Sequence, residues 1–576
     1  MIDGLILPFL VYFVGAALVA VIPFARGRAA LSILVPVIGF YLIWNLPTGQ
    51  HGQIGFMGFE LTLLRVDKLS MIFGIIFSLA AFLSVIYAWH IRDRVQQIAA
   101  LLYAGSAIGA VFVGDLISLF FFWEGTAIAS VFLIWARRTE GAFYTGMRYL
   151  VVQVASGVIL IAGVALYYRA SGTIAFDKMV LPMLWPGHWD TGALGLWLIF
   201  LSFGIKCAFP LLHNWLQDAY PAATVTGTVM LSAFTTKLAV YALARGFPGT
   251  EILIPIGAIM TLFPIFYAVI ENDLRRVLAY SLNNQLGFMV VGIGVGTELA
   301  LNGTAAHAFV HILYKALLFM SVGAVLFRTG TAKGSELGGL YRTMPLTMIF
   351  CVVGAASISA FPLFSGFVAK SLILSGAAKE GYWVVWLILV FASAGVFHHS
   401  GIKIPYFAFF AHDSGLRPKE APTHMLIAMG LTAALCIGIG VFPSLLYELL
   451  PYKVKYVPYT TTHVITQLQL LFFSALAFTI LMRTQIYPPE LRSVNLDSDW
   501  FYRRAFKAVV HYAAVIVQAV FWGVTGFINR AAIRLVDELH NSHGPDGPRA
   551  ASWPAGAMVL SIAALLGLTL IVIFFS

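Results

Sequence analysis

The stretch "HAFVHILYKALLF", residues 307–319, places three ionisable side chains inside an otherwise apolar run. His307, His311 and Lys315 are spaced four residues apart, so on a helix they lie within about 80° of one another, on one face. A charged side chain at the centre of a bilayer costs roughly 2.5–3.5 kcal/mol on insertion scales. A row of ionisable groups in such a run therefore indicates pairing, hydration or a role in moving charge.

The composition of the whole chain gives that row its setting. Of the 576 residues, 60% are hydrophobic and 10% charged, and the mean hydropathy is +0.89. Apolar runs of about 18 residues or more recur throughout, which predicts an all-α polytopic membrane protein. The net charge of +10 is typical of cytoplasmic loops in membrane proteins, so we expect no nucleic-acid partner. Cys207, Cys351 and Cys436 lie far apart in apolar runs and predict neither a disulfide framework nor a metal site.

Fifteen membrane spans are predicted before the C-terminal region, and we number them one to fifteen in chain order. The first apolar run has no basic region before it and no clear cleavage site, so we interpret it as a retained span. The approximate limits are 4–24, 30–46, 66–88, 96–113, 115–136, 147–168, 194–216, 226–247, 252–270, 276–295, 301–327, 346–376, 384–411, 424–443 and 464–483.

The charges of the connecting loops test this division. If the N-terminus is outside, the inside loops carry Arg26, Arg28, Arg92, Arg94, Arg137, Arg138, Arg148, Arg275, Arg276, Arg328, Lys333, Arg342, Lys403, Arg417, Lys419 and Arg483. The outside loops carry only Arg65, Lys68, Arg169, Lys178, Arg245, Lys379, Lys453 and Lys455. The excess of inside positive charge persists along the chain, which supports the alternation of the spans.

An apolar stretch of about twenty residues after span fifteen has positive charge on both sides, which argues against a simple crossing. The flanking residues are Arg503, Arg504, Lys507, Arg530, Arg534 and Arg549. Polar residues also recur every seven positions and make one stripe on a helix, namely Arg504, His511, Gln518 and Thr525. We favour a lateral amphipathic helix over 501–540 on the cytoplasmic surface, with an ordinary span as the alternative. Residues 555–575 form the last span in this interpretation.

A short internal repeat predicts the organisation of the chain. "AFPL" occurs at 208–211 in span seven and again at 360–363 in span twelve, and the odd offset of five spans inverts the second copy. Inverted repeats with interrupted helices are typical of transporters. We therefore predict about 16 transmembrane helices with two inverted five-helix repeats. The predicted segments are N-terminal helices 1–95, a first repeat 96–250, a second repeat 251–411, additional helices 412–483 and a C-terminal extension 484–576.

Five of the apolar spans carry a charge well away from their ends. These residues are Glu124, Lys206, Lys237, Lys315 and Lys370. Snorkelling to the interface is the alternative for one lysine, and it suits residues near a span end. Glu124 is the one acid deep in a span, so we expect it to pair with Lys206 and to form a switchable proton gate.

The histidines of the opening stretch extend this set into a relay. Histidine titrates near neutral pH and can pass a proton along a chain, and a desolvated lysine can also become a proton site. The expected route runs from the Glu124–Lys206 gate through Lys237, His311 and His307 to Lys370. Lys315 lies further along the same face and is expected to tune the histidines electrostatically.

At these residues the chain resembles a known family, the antiporter-like membrane subunits shared by respiratory complex I and the Mrp-type cation/proton antiporters. The fragments that carry the resemblance lie between about 100 and 420, in the order that the family shows. They are Glu124, Lys206 with "FPLLHNWLQDAY", Lys237, "LAYSLNNQLG", "HAFVHILYKALLF" and Lys370. The start of span eight departs from the family's proline-rich pattern, since "PAATVTGTV" has Pro221 alone.

Two further fragments, "IKIPYFAFFAHDSGLRPKEAP" and "NLDSDWFYRR", look closest to the D-type subunits of the Mrp-type antiporters. The resemblance implies a proton-translocating subunit, not itself an enzyme, that exchanges protons for Na+ or K+ within a hetero-oligomer in a bacterial inner membrane. The alternatives are a proton-pumping subunit of a complex I-like or hydrogenase redox complex, a subunit of a bicarbonate-accumulating complex, and a membrane scaffold. No Gly-rich dinucleotide loop or cysteine cluster is present, so we expect no cofactor on this chain.

Overall fold

The structure is a computed structural model that describes residues 5–182, 190–488, 490–491, 495–549 and 554–575. The chain falls into two compact units, Met1–Asn495 and Leu496–Ser576. Both are predominantly helical. The first unit holds one large apolar core, and the helix of span eleven, Glu298–Thr329, is almost wholly buried in it.

Every predicted span coincides with helix. The helices of spans one to ten run Pro8–Val21, Ala25–Trp44, Lys68–Tyr87, Arg94–Phe112, Leu116–Trp135, Glu140–Ser171, Thr191–Lys206 with Asn214–Ala222, Val225–Ala233 with Thr235–Gly246, Leu253–Ile270 and Leu274–Val295. The later ones run Glu298–Thr329, Pro345–Ile358 with Ser365–Lys379, Trp383–Val396, Thr423–Val441 and Thr461–Arg483, and the last helix is Ala555–Phe575.

By length and apolar composition, 13 helices of the described residues can cross a membrane. Shorter apolar helices cover Pro8–Val21, Thr191–Lys206 and Pro345–Ile358. These findings support a multi-pass membrane protein. The total of about 16 crossings stays a prediction.

A β-hairpin outside the helical pattern was not predicted. Strands Gly49–Phe56 and Phe59–Val66 pair antiparallel between spans two and three, with Phe56 opposite Phe59. Leu61, Leu64 and Val66 of the second strand are buried, and its other residues are at least partly exposed. Short elements complete the first unit, namely 3-10 helices Gly334–Glu336 and Leu340–Arg342, helices Lys403–Pro405 and Ser444–Tyr447, and π-helices Phe397–Ile402 and Tyr406–Phe410.

Hydrogen bonds between loops agree with the predicted alternation of the spans. At the outside end, Gly114 donates to Thr62, Phe176 donates to Gly114, and Met179 donates to Gly246, all through backbone groups. The inside end has its own set of bonds, from Arg28 to Arg92, from Leu274 to Ala332, from Gly334 to Asn272 and from Arg328 to Glu420. Loops predicted to share one side of the membrane thus contact one another.

The two copies of "AFPL" form the same kind of break in a helix. The first and fourth residues of each copy have left-handed backbone, with φ of 62° at Ala208, 69° at Leu211, 56° at Ala360 and 75° at Leu363. Helices end just before each copy and resume just after it. This likeness supports the predicted repeat at its broken helices, while the inverted relation of the two five-helix groups stays a prediction.

Span eight contains a break that the sequence did not predict. Its helix ends at Ala233 and resumes at Thr235, with Phe234 between them at φ −102° and ψ −68°. The span has no proline, so the usual sequence signal for an interruption is missing. The break lies directly before Lys237.

The second unit contains a long helix, Phe506–His543, preceded by a π-helical turn, Phe501–Ala505. Together the turn and the helix cover the predicted lateral helix, 501–540, and continue to His543. Its length and composition also suit a crossing. The orientation of this helix therefore stays a prediction.

Candidate functional site

The predicted lysines lie in the interior of the first unit. Lys206, Lys237, Lys315 and Lys370 are each at most 1% exposed. His307 and His311 are also fully buried, whereas Glu124 is partly exposed. These lysines therefore contact neither lipid nor bulk water, and each ammonium group depends on neighbouring protein oxygens or enclosed water.

Lys206 is held by span five. Its Nζ donates to the carbonyl of Trp123 at 2.5 Å and to the hydroxyl of Thr126 at 3.1 Å, and it lies 4.4 Å from the centre of the Trp123 ring. These contacts, together with the cation–π interaction, replace most of the hydration shell of the ammonium group. The neighbouring residue on span five, Glu124, does not complete this shell.

The described contacts include no direct Glu124–Lys206 ion pair, although the two charges interact electrostatically, so the predicted pairing through a salt bridge or through water stays a prediction. Glu124 instead packs against span six, so closely that a Cβ on Gly157 would clash with Glu124 Oε1. Glu124 Oε1 has no hydrogen-bond partner within the described part of the chain, and neither has the amide of Gln153, one turn before Gly157. Buried polar atoms of this kind are usually hydrated. The carboxylate of Glu124 thus faces span six, while Lys206 Nζ lies against the backbone of span five.

Lys237 is held by the break in its own span. Its Nζ donates to the carbonyl of Ser232 at 2.6 Å and to the hydroxyl of Thr236 at 3.2 Å. The interruption at Phe234 frees carbonyl groups that a continuous helix would occupy. An irregular backbone therefore solvates the lysine at this point.

His307 belongs to a hydrogen-bonded cluster between spans ten and eleven. Its Nε2 lies 2.9 Å from the Tyr314 hydroxyl and 3.1 Å from Gln285 Oε1, and the Tyr314 hydroxyl lies 3.1 Å from the same oxygen. The cluster continues to Asn284, whose Oδ1 accepts a bond from Gln285 at 2.6 Å. "LAYSLNNQLG" supplies both amides, so the sequence motif carried this signal, although only the charged residues were selected from it.

His311 occupies the middle of the site. Neither of its ring nitrogens has a partner among the described residues, and its ring lies 6.2 Å from that of His307 and 5.2 Å from that of Tyr314. The charges of Lys237, Lys315 and Lys370 all act on it. A titratable ring with open nitrogens between several lysines is suited to accept and donate protons through water.

Lys315 and Lys370 have separate polar surroundings. Lys370 Nζ donates to the carbonyl of Ile358 at 2.7 Å, beside the second "AFPL" break. Lys315 Nζ donates to the Ser281 hydroxyl at 2.9 Å and is 3.3 Å from the carbonyl of Leu278. Lys315 therefore interacts with Leu278 and Ser281 of span ten, neither of which belongs to the predicted route.

The structure reveals a further buried lysine that the sequence analysis assigned to a loop. Lys403 is 0% exposed and forms an ion pair with Glu490, with 2.9 Å between Nζ and Oε1. Its Nζ also donates to the carbonyls of Ala268, Val269 and Glu271. Lys403 lies close to the inside end of span thirteen, which is why its burial could not be read from the pattern of apolar residues.

No group of three or more histidine, cysteine, aspartate or glutamate side chains that could hold a metal occurs in the ranges that the structure describes. The three cysteines are buried and unpaired. The chemistry that this arrangement offers is proton transfer among lysines, histidines and water.

The central part of the chain matches a known protein family. Residues 113–395 match the family described as NADH:quinone oxidoreductase/Mrp antiporter, transmembrane. The matched region contains Glu124, the four predicted lysines and both histidines of the opening stretch.

Curated relatives come from three kinds of complex. The N-type subunit of NADH-quinone oxidoreductase from Desulforudis audaxviator is 29% identical over 76% of this chain and 93% of its own length. Component B of hydrogenase-4 from Escherichia coli is 27% identical, over 66% of this chain and 62% of that protein. The D-type subunit of a Na+/H+ antiporter from Alkalihalophilus pseudofirmus is 32% identical, over 53% of this chain and 64% of that protein. The chain thus spans less than two thirds of the last two relatives.

Solved structures show the same fold. A chain of the Mrp complex from Dietzia sp. DQ12-45-1b superposes with a TM-score of 0.76 at 24% identity, over 92% of this chain and 63% of that one. A chain of the membrane-bound sulfane sulfur reductase, an archaeal respiratory complex, gives 0.71 at 22% identity, over 98% and 99%. At these identities the likeness concerns the fold.

Proposed function

The chain belongs to the family of antiporter-like membrane subunits shared by complex I and the Mrp-type antiporters, and we propose that it translocates protons in a multisubunit antiporter for Na+ or K+. The observation that carries the proposal is the row of buried lysines around His311, whose ring nitrogens have no partner among the described residues. A chain that only served as a scaffold would have no use for such costly groups.

In the proposed mechanism, the proton enters at the gate formed by Glu124 and Lys206. Lys206 already donates to the Trp123 carbonyl. Water that bridges Lys206 to Glu124 stabilises the protonated lysine, and loss of this bridge favours release of the proton. The proton then moves to Lys237, past His311 and the His307–Tyr314–Gln285 cluster, and reaches Lys370. We expect water molecules to bridge the steps between these side chains.

The partners and location follow from the same proposal. We expect a hetero-oligomer with other antiporter subunits in a bacterial inner membrane, since the similar solved chains belong to multisubunit complexes. Na+ or K+ is favoured by the relative from the Na+/H+ antiporter of Alkalihalophilus pseudofirmus.

A redox complex is the second candidate. The relative from NADH-quinone oxidoreductase matches over 93% of its length, and the sulfane sulfur reductase chain over 99%. In that case flavin or iron–sulfur chemistry would lie in partner chains. Purification of the intact complex separates the two, since co-purifying small hydrophobic subunits favour antiport, and flavin or iron–sulfur absorbance favours a redox pump.

The proposal is tested by proton transport in inverted vesicles that contain the assembled complex. Glu124→Gln and Lys206→Ala should each abolish most transport, because one removes the negative charge of the gate and the other its base. His311→Ala, His307→Ala and Lys370→Ala test the relay beyond it. Glu140→Gln, an exposed acid at the start of span six, is the matched control and should transport normally.

Full transport by both gate variants in an assembled complex would contradict the gate. Full transport by all three relay variants would mean that His307, His311 and Lys370 only satisfy one another in a polar core. Proton movement that does not depend on added Na+ or K+ would favour the redox alternative.

A further inference from the structure

A chain of hydrogen bonds leads from Lys315 away from the predicted relay, towards span thirteen. Lys315 Nζ donates to Ser281 Oγ at 2.9 Å, and Ser400 Oγ lies 2.8 Å from the same oxygen. His399 Nδ1 is 2.8 Å from Ser400 Oγ. All four side chains are fully buried. Hydroxyl groups both donate and accept, so this chain can pass a proton without a charged intermediate group at each step.

The backbone of span thirteen is irregular where it contributes to this chain. Phe397–Ile402 is a π-helix, and its wide turn carries His398, His399 and Ser400. Such turns often occur at functional sites. The Nε2 atoms of His398 and His399 are buried and have no hydrogen-bond partner within the described ranges. Buried polar atoms of this kind usually bind water.

His398 lies next to a residue that lines a pocket at the inside end of the protein. The ring of His398 lies 5.3 Å from that of Tyr487. Tyr487 and Glu490 line an open pocket of about 590 Å³ together with His412. The inside loops form this pocket, so it can fill with water from that side.

Glu490 gives the pocket a buried acid. Its side chain is 6% exposed, one oxygen lies 2.9 Å from Lys403 Nζ, and the other has no partner among the residues that the structure describes. Burial raises the pKa of the Glu490 carboxyl, and the charge of Lys403 opposes this rise. The ionisable groups that face Glu490 are Lys403, Glu271, Tyr487 and His412.

A purely structural role for the Lys403–Glu490 pair is a simpler interpretation. The pair ties span thirteen to the segment after span fifteen, and the three carbonyls at Lys403 are satisfied in either case. A tether, however, requires neither an open carboxylate oxygen towards a pocket nor a row of histidines and serines that leads inwards to a buried lysine.

We propose that Glu490, His398, His399, Ser400 and Ser281 form a second proton access route, which connects the inside face to Lys315 without passing Glu124 or Lys206. This inference rests on the proposed function and places the route in series with the gate: this route serves the inside face, and transport needs both. One proton moves in each step, from water to Glu490, through the histidines to Ser400 and Ser281, and finally to an uncharged Lys315. Lys315 then delivers the proton to His311, whose ring nitrogens are open.

Ser400→Ala is the sharpest test, since it removes the hydroxyl that joins His399 to Ser281 and little else. Transport by the assembled complex should fall strongly, because no hydroxyl then relays a proton between His399 and Ser281. Ser321→Ala is the matched control, a buried serine of span eleven whose hydroxyl bonds to the carbonyl of Leu317 in its own helix. It should leave transport unchanged.

Glu490→Gln tests the inside end of the route. Its transport should fall, and the dependence of the remaining rate on pH should change at the protein's inside face, which is the outer face of an inverted vesicle, but not at the opposite face. A tether would not produce this one-sided change. If Ser400→Ala fails to assemble, Ser281→Ala removes the neighbouring hydroxyl and gives the same prediction.

Wild-type transport by the serine variant and by Glu490→Gln would overturn the proposal, and so would a pH response altered equally at both faces. Glu124→Gln is measured in parallel. If it abolishes transport while the route variants are silent, only this inference fails. If it is silent too, the proposed function itself fails.

Discussion

At the scale of single residues, broken and ending helices hold three of the buried lysines. Lys237 binds a carbonyl at the break of span eight, and Lys370 binds one at the second "AFPL" break. Lys403 binds three carbonyls where span nine ends. The last carbonyls of a helix have no partner within it, so an ammonium group satisfies them and loses its own need for water.

This explains which part of the site could be predicted from the sequence. A charge inside an apolar run is visible without a structure, so Glu124, the four lysines and the two histidines were found. Backbone acceptors have no sequence signal of their own, and uncharged groups such as Gln153 and Ser400 are common in membrane helices. Their roles emerge only when the helices pack together.

The contact between Gly157 and Glu124 supplies a test at this scale. Gly157→Ala should reduce transport strongly, because the new Cβ would overlap the present position of Glu124 Oε1 and must displace the carboxylate. Gly141→Ala on the same helix meets nothing within 4 Å and should have no effect. Proton transport in vesicles measures both. Normal transport by Gly157→Ala would mean that the position of the carboxylate does not matter.

At the scale of elements, the two "AFPL" segments show what a proline signal conveys. Pro210 and Pro362 predicted that the helices break, since proline removes a backbone donor and clashes with the preceding turn. The left-handed residues on either side of each proline were not predicted, because alanine and leucine rarely adopt that conformation. The break of span eight was missed because that span contains no proline.

The left-handed backbone of Leu363 leads to a prediction about stability. Leu363→Gly should stabilise the assembled complex by up to about 1 kcal/mol, since glycine avoids the steric cost of this conformation and loses part of the gain as entropy. Leu387→Gly, at an exposed helical position of span thirteen, should destabilise it by about 1 kcal/mol. Thermal unfolding of the purified complex gives the sign of each change. A loss of stability at both positions would contradict the prediction.

At the scale of the whole molecule, the positive charges of the loops supported the predicted alternation of the spans across the membrane. A missed or added span would have reversed the side of every later loop, whereas the loops predicted to lie on one side contact one another. The hairpin between spans two and three escaped prediction because the sequence was searched for apolar runs long enough to cross a membrane. Hydropathy identifies spans reliably, since the bilayer sets their length, but it says little about structure outside the membrane.

The C-terminal helix decides the side on which the chain ends, and its polar stripe predicts a lateral position. The predicted alternation places the end of span fifteen, at Arg483, inside. A lateral Phe506–His543 then leaves Ala555–Phe575 to cross outwards. Alkaline phosphatase fused to the C-terminus should then be active, and a fluorescent protein fused there should be dark. A fluorescent protein fused after Gln485 should be bright and serves as the control. A bright C-terminal fusion would show that 508–528 crosses the membrane, since each crossing reverses the side on which the chain ends.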